Sequence, residues 1–227
     1  RMLWGFFKKL VIADQLAVMV NHLYANLPSD GPRLVFLALM FTYQLYCDFS
    51  GYSDIAVGTA QVLGYELTDN FDRPYSARSM AIFWRRWHIS LSSWLRDYLY
   101  YPLALGWGRV SKLRLYASML ITFMLIGFWH GANWTFVIFG TLHGIYLIFG
   151  SLTDKPRQRL AEVIGLVRLP RLRALLQIGT VLALATFSFI FFRAENVQQA
   201  WQIISHLGSQ WGLLNINYLR HTMFNGL

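Results

Sequence analysis

"GFWHGANWTFVIFG", residues 127–140, interrupts an apolar tract that runs over residues 113–150. The tract is long enough for two membrane helices, since about 20 apolar residues cross a ~30 Å hydrocarbon core. His130, Gly131 and Asn133 cut it near its middle. The flanking segments 115–129 and 133–150 would be roughly 22 and 27 Å long as helices, at 1.5 Å per residue. Both outer ends are basic, through Arg109, Lys112 and Arg114 on one side and residues 155–173 on the other. Positive residues favour the cytoplasmic side, so the tract reads as a hairpin with His130 at its far turn. The arms are a little short for a full crossing. The turn is therefore expected below the outer surface, in a cavity, because irregular backbone at membrane depth must line protein or water.

The totals agree with a membrane protein. Of 227 residues 56% are hydrophobic and only 14% charged, with a mean hydropathy of +0.38, whereas soluble domains carry about a quarter charged residues. Nine tryptophans suit a chain with much surface at the lipid–water interface. The net charge of +9 invites nucleic acid as a partner, but Lys and Arg fall in short clusters beside apolar runs: Lys8 and Lys9, Arg85 and Arg86, and 109–114. That pattern points to a lipid bilayer and argues against a nucleic-acid surface. The single cysteine, Cys47, rules out an internal disulfide and a multi-cysteine metal site. A start without Met and an end at Asn225-Gly226-Leu227 read as a piece of a longer protein.

Along the chain, residues 3–27 are expected as one partly interfacial helix. A second apolar run, 34–47, is expected to break at "CDFSGYSD" (47–54) through Gly51 before resuming over 55–65. Ser50 or Asp48 would then cap the new helix; alternatively Asp48 or Asp54 orients a histidine or pairs with an arginine of the basic segment. Residues 151–173 read as a basic loop, 174–192 as the last spanning helix, and 194–207 as an amphipathic helix lying on the membrane, with Val197, Trp201, Ile204 and Leu207 at helical spacing.

Taken as one helix, 83–99 places Ser92, Arg85, Arg96, Ser93, Arg86, Asp97 and Ser90 on one side. Trp94, Trp87, Tyr98, Leu91, Trp84, Leu95 and Leu99 fall on the other, with His88 between Trp84 and Leu95. An imidazole held away from anions and water stays neutral and can accept a proton, as a general base must. Intramembrane ionisable groups default to a functional reading, which makes His130 the first candidate and His88 the second. A turn histidine capped by Asn133, an interfacial histidine meeting a carbonyl, and a helix–helix hydrogen bond for His143 are the plainer readings. His22, His206 and His221 carry no expectation. No His-Glu-x-x-His or other metal-ligand spacing occurs, and no phosphate loop or G-x-S-x-G elbow.

Four stretches together resemble the membrane-bound O-acyltransferase family, in particular its bacterial alginate O-acetylation branch. They are "WGFFKKLVIAD" (4–14), "YCDFSGYSDIAVG" (46–58), "NFDRPYSARSMAIFWRRWHISLSSWLRDYLYYPL" (70–103) and "GFWHGANWTFVIFGTLHG" (127–144). The resemblance implies an all-α, polytopic transmembrane fold with interfacial amphipathic helices and a broken, re-entrant region. Residues 1–227 would form the C-terminal portion of one such domain. It implies that His130 matches the family's essential histidine and His88 its second histidine. Trp129, Asn133, Asp48, Asp54, Trp87 and His143 become pocket candidates, while Arg85, Arg86 and Arg96 would meet donor phosphates or anionic lipid. Acetyl-CoA is the expected acyl-donor substrate, with no bound cofactor or metal, and the acceptor is a polysaccharide hydroxyl outside a bacterial inner membrane. Dedicated periplasmic or membrane acetylation proteins are the expected partners. D-alanyl transfer, a proton-coupled transporter and a non-catalytic scaffold are the alternatives.

Overall fold

A computed structural model describes residues 1–106 and 110–211; Arg109 and His221 lie outside the described residues. The first helical path comprises α1 (Met2–Phe6), a π-helical segment (Phe7–Ala13) and α2 (Asp14–Ala25). It packs along α3 (Gly31–Val62), a 32-residue helix started by Asp30, whose side chain accepts from Arg33 N. Helix α3 runs unbroken through "CDFSGYSD", so the expected interruption and the cap at Ser50 or Asp48 do not exist. Gly51 serves a different purpose. A Cβ there would lie 2.9 Å from Gly5 O, and one at Gly5 would lie 2.7 Å from Gly51 O. Two small residues thus let the first helix and α3 touch backbone to backbone.

The segment expected as one helix over 83–99 is broken. Helix α4 (Met80–Arg86), capped by Ser79, ends where Trp87 becomes extended and His88 adopts a left-handed backbone, φ 45° and ψ 56°. Phe71 and Trp87 form an antiparallel bridge, and Ile89 N donates to Asn70 O at 3.0 Å. This pairing with a distant segment is what defeats the helical register. The chain continues as α5 (Ile89–Leu95), a π-helical turn (Arg96–Tyr100) and α6 (Tyr101–Leu105).

Helices α7 (Lys112–His130) and α8 (Trp134–Leu152) form the expected hairpin, each 19 residues and so about 28 Å long. Ser111 caps the first and Asn133 the second, through Arg114 N and Thr135 N. The arms meet through glycine. A Cβ on Gly127 would lie 2.1 Å from Phe136 O, and one on Gly140 would lie 2.1 Å from Phe123 O. Such contact between small residues replaces the hydrophobic drive that lipid removes.

Residues 151–173 are largely helical rather than a loop. They hold α9 (Asp154–Val163), a 3₁₀ turn (Leu166–Arg168) and the start of α10 (Pro170–Arg193). Pro156 and Pro170 sit in first turns, where a missing N–H costs nothing. Helix α11 (Val197–His206) follows, capped by Asn196. Among the described residues four helices, α3, α7, α8 and α10, are long and apolar enough to cross a membrane.

The hairpin contact yields a direct test. Gly127→Ala should destabilise the protein by about 1–3 kcal/mol, because the carbonyl it strikes cannot rotate away. Gly150→Ala, with nothing within 4 Å of the new methyl, should leave the thermal midpoint unchanged or raise it. Equal midpoints for the two variants would refute the close packing.

Candidate active site

His130 is the last residue of α7, where the hairpin turns. Its ring is walled by Trp129, Phe136, Phe139 and Phe192, with centroids 4.9, 6.2, 6.0 and 5.0 Å away. Asn133 ties the turn down: its Oδ1 accepts from Thr135 N at 3.1 Å and its Nδ2 donates to Glu195 O at 2.8 Å. One amide side chain thus caps α8 and binds the linker between α10 and α11.

His88 enters from the other side. Its left-handed backbone turns the ring onto Phe49, edge to face at 4.6 Å, and toward Trp129 at 6.3 Å. The Trp129 indole therefore lies against both imidazoles. Neither ring makes a hydrogen bond to another described residue, and His88 Nδ1 is buried without a partner. Burial lowers the His88 pKa to about 4, so the ring is neutral at physiological pH. The sequence places His88 among the apolar residues of a helix face; the structure turns it onto aromatic rings through the backbone break instead.

His143 has the opposite character. It is fully buried, and Trp84 Nε1 donates to its Nδ1 at 3.2 Å. That leaves the ring proton on Nε2, which is 2.8 Å from Ser188 Oγ, while the Ser188 hydroxyl donates to Ala185 O at 2.8 Å. Both nitrogens are spent joining α4, α8 and α10. Phe139, 4.7 Å from His143 and 6.0 Å from His130, separates it from the turn. Trp87 is likewise committed to packing, within 5.5 Å of Phe71, Phe83 and Phe189.

The two aspartates stand elsewhere and meet neither a histidine nor an arginine of 83–99. Asp54 pairs with Lys8 at 2.6 Å and Arg1 at 2.9 Å; Asp48 pairs with Lys9 at 2.7 Å. The π-helical turn explains how consecutive lysines both reach α3, since its wider winding departs from the 100° step. The three arginines do not share a face. Arg85 and Arg96 border a mostly apolar cavity of about 360 Å³ with Trp84, Ile126 and Leu147. Arg86 turns to Ser76 Oγ at 2.9 Å, and Arg96 is held by both oxygens of Asp97, at 2.8 and 3.1 Å. Sequence reasoning missed Phe49 and Phe192 as walls. Phe136 and Phe139 were within reach of it, as the first aromatic residues across the turn.

Comparison with known proteins agrees with this architecture. Residues 33–163 match the membrane-bound O-acyltransferase family. The chain is 40% identical over 220 residues to a probable alginate O-acetylase AlgI of Pseudomonas aeruginosa, covering 96% of this chain and 40% of that protein. It is 38% identical over 201 residues to a peptidoglycan O-acetyltransferase of Helicobacter pylori, covering 88% and 36%. A teichoic acid D-alanyltransferase of Streptococcus thermophilus is 36% identical over 157 residues, covering 65% and 38%. The chain belongs to the membrane-bound O-acyltransferase family and is an integral membrane protein. It spans about 40% of the length of the alginate O-acetylases it matches.

Two outcomes follow from the contrast between the histidines. The folded chain keeps His88 neutral down to about pH 4, while the unfolded chain protonates it near 6.5. Acid therefore favours unfolding between those values. The thermal midpoint should fall across that window, and fall less in His88→Phe; parallel curves would contradict the buried, unpaired ring. His143→Phe strands the Trp84 N–H and removes the donor to Ser188 Oγ, and should cost about 1–3 kcal/mol at neutral pH. An unchanged midpoint would refute the three-helix junction.

Proposed function

We propose that this chain carries the reaction chamber of a membrane O-acyltransferase. The enzyme moves an acetyl group from a cytoplasmic thioester, acetyl-CoA, to a hydroxyl used in O-acetylation of an alginate-like polysaccharide beyond a bacterial inner membrane. The observation that carries this reading is the meeting of two histidines without hydrogen-bond partners on one tryptophan, at the turn of a membrane hairpin. The alginate O-acetylase relatives support acetyl transfer to a polysaccharide as the reading.

In this mechanism a neutral His130 takes the proton of the acceptor hydroxyl as its oxygen attacks the thioester carbonyl carbon. The carbon–sulfur bond then breaks, and the imidazolium returns the proton to the departing thiolate. His88 orients or polarises a reactant from the opposite wall, and Trp129 sets the spacing of the two rings. Asn133 holds the turn so that His130 keeps its place. Arg85 and Arg96 attract the donor's phosphates or anionic lipid toward their cavity. Delivery to the polymer involves dedicated acetylation proteins on the far side. A transient acyl-histidine at His130 is the competing chemistry for the same residues.

The D-alanyltransferase relatives make D-alanyl transfer to a cell-wall polymer the second reading. Membranes supplied with labelled acetyl-CoA or a labelled D-alanyl thioester separate the two. Acetyl label should reach polymer or partner, and His130→Ala should lower its rate by about 10²–10⁴-fold, the range of general acid–base catalysis. His88→Ala should lower it less. Transfer by His130→Ala at the wild-type rate would overturn the assignment.

A further inference from the structure

The charged pairs that fasten the first helix to α3 also line a cavity of about 200 Å³. Its wall includes Arg1, Lys8 and Arg73, the carboxylates of Asp54 and Asp72, and the polar side chains of Asn70 and Ser53. Three cations against two carboxylates leave one positive charge. Asp69 and Arg86, just outside the lining, pair with Arg1 and Asp72 and offset each other.

Some of these groups are spent. Lys8 Nζ donates to Ser50 Oγ at 2.9 Å and to Asp54 at 2.6 Å, and Arg1 takes the other Asp54 oxygen at 2.9 Å. Others are not. Ser53 is 6% exposed and its Oγ is buried without a hydrogen-bond partner. The Arg73 guanidinium makes no hydrogen bond or ion pair with another described residue. Asn70 uses its Oδ1 on Ser90, leaving its amide N–H groups available. The cavity thus offers three kinds of donor to an anion and a carboxylate, Asp72, to a hydroxyl. A buried hydroxyl without a partner is costly, and a ligand would relieve it.

Depth narrows the ligand. Helix α10 ends near the connection from α2 to α3, where Arg193 lies over the Tyr24 ring at 4.7 Å, and it meets α3 again where Thr42 donates to Thr186 at 3.2 Å. Asp54 lies twelve residues beyond Thr42, about 18 Å along the axis. That carries the cavity toward the end of the bundle at which α10 starts, where Arg171 and Arg173 form a basic cluster of the kind found at a membrane boundary. Arg1 also borders a shallow apolar groove with Met2, Leu3, Gly58 and Val62. A polar cavity at the headgroup level, opening beside an apolar groove, suits an amphiphile.

We propose that this cavity binds a glycerol phosphate group: Arg73, Asn70 and Ser53 hold the phosphate, and Asp72 accepts from the glycerol hydroxyls. Its source by position is an anionic membrane lipid. The site goes beyond the acyl-transfer reading, because binding is measured without any reaction. It also adjoins the machinery, since residues 70–72 are the ones hydrogen-bonded to Arg86 and Ile89 on either side of His88.

The test titrates phosphatidylglycerol into purified protein held in phosphatidylcholine nanodiscs and counts retained lipid by native mass spectrometry. One phosphatidylglycerol should bind saturably. Arg73→Gln should weaken it about tenfold, as expected for one charge-assisted hydrogen-bond donor, and Ser53→Ala should weaken it less. Arg171→Gln, an exposed charge away from the cavity, should not matter. Soluble glycerol phosphate displacing the lipid would support the shared headgroup chemistry; its binding where the lipid does not bind would make the source soluble. Unchanged lipid binding in both cavity variants, or equal loss in Arg171→Gln, would overturn the site. Displacement by coenzyme A at the same residues would assign the cavity to the acyl donor and overturn it as well.

Discussion

The backbone contact between α7 and α8 at Gly127 and Gly140 is the constraint on which the site depends. With side chains absent from both contact points, a carbonyl of each arm sits where a methyl group would otherwise be. The arms cannot slide without opening this contact, so the turn has one position. His130 is the last helical residue before that turn and inherits its placement. Asn133 then makes the placement common to two elements by binding Glu195 O beyond α10. Phe192, near the end of α10, closes the wall against the histidine.

Polar groups in this apolar setting fall into two kinds, and the distinction carries functional weight. Inside a low-dielectric interior a polar group without a partner is expensive. His143 avoids the cost by spending both nitrogens, and its hydrogen bonds weld α4 and α10 to α8. Lys8 avoids it through Ser50 and Asp54. His88 and His130 are left without such partners, although the phenylalanines packed around them bury much of both rings. Strain accompanies them, because His88 holds a left-handed backbone that residues with a Cβ adopt at a cost. His143 and Lys8 are thus satisfied within the fold; the two candidate catalytic rings are not.

Much of this was visible in the residue order, and the exceptions share a cause. The hairpin, its turn and the cap at Asn133 follow from one apolar tract cut by His-Gly-x-Asn, and α11 follows from the spacing of Val197, Trp201 and Ile204. These are local signals. The break at Trp87 and His88 is imposed by Phe71, sixteen residues away from Trp87, and a helical wheel has no access to that pairing. Gly51 looked like a helix breaker because the Gly5 contact that uses it lies on another helix. Residues 151–173 read as a loop, but the first-turn positions of Pro156 and Pro170 are compatible with helix. The aspartates were matched with the wrong cations for the same reason: a π-helical turn redirects Lys8 and Lys9, and it leaves no mark in the hydrophobic pattern. His130 and His88 became candidates through their apolar setting and then through resemblance; their shared indole came only from coordinates.

The central claim is that His88 and His130 act on one reacting centre across Trp129. A double-mutant cycle on acyl transfer measures this most directly, using wild type, His88→Ala, His130→Ala and the pair at matched membrane expression. Groups that serve the same step are strongly non-additive. The account predicts that the double variant transfers acetyl no more slowly than His130→Ala alone. Rate losses that multiply, with the double variant slower by the product of the two single effects, would mean that the histidines act independently and would contradict a shared chamber.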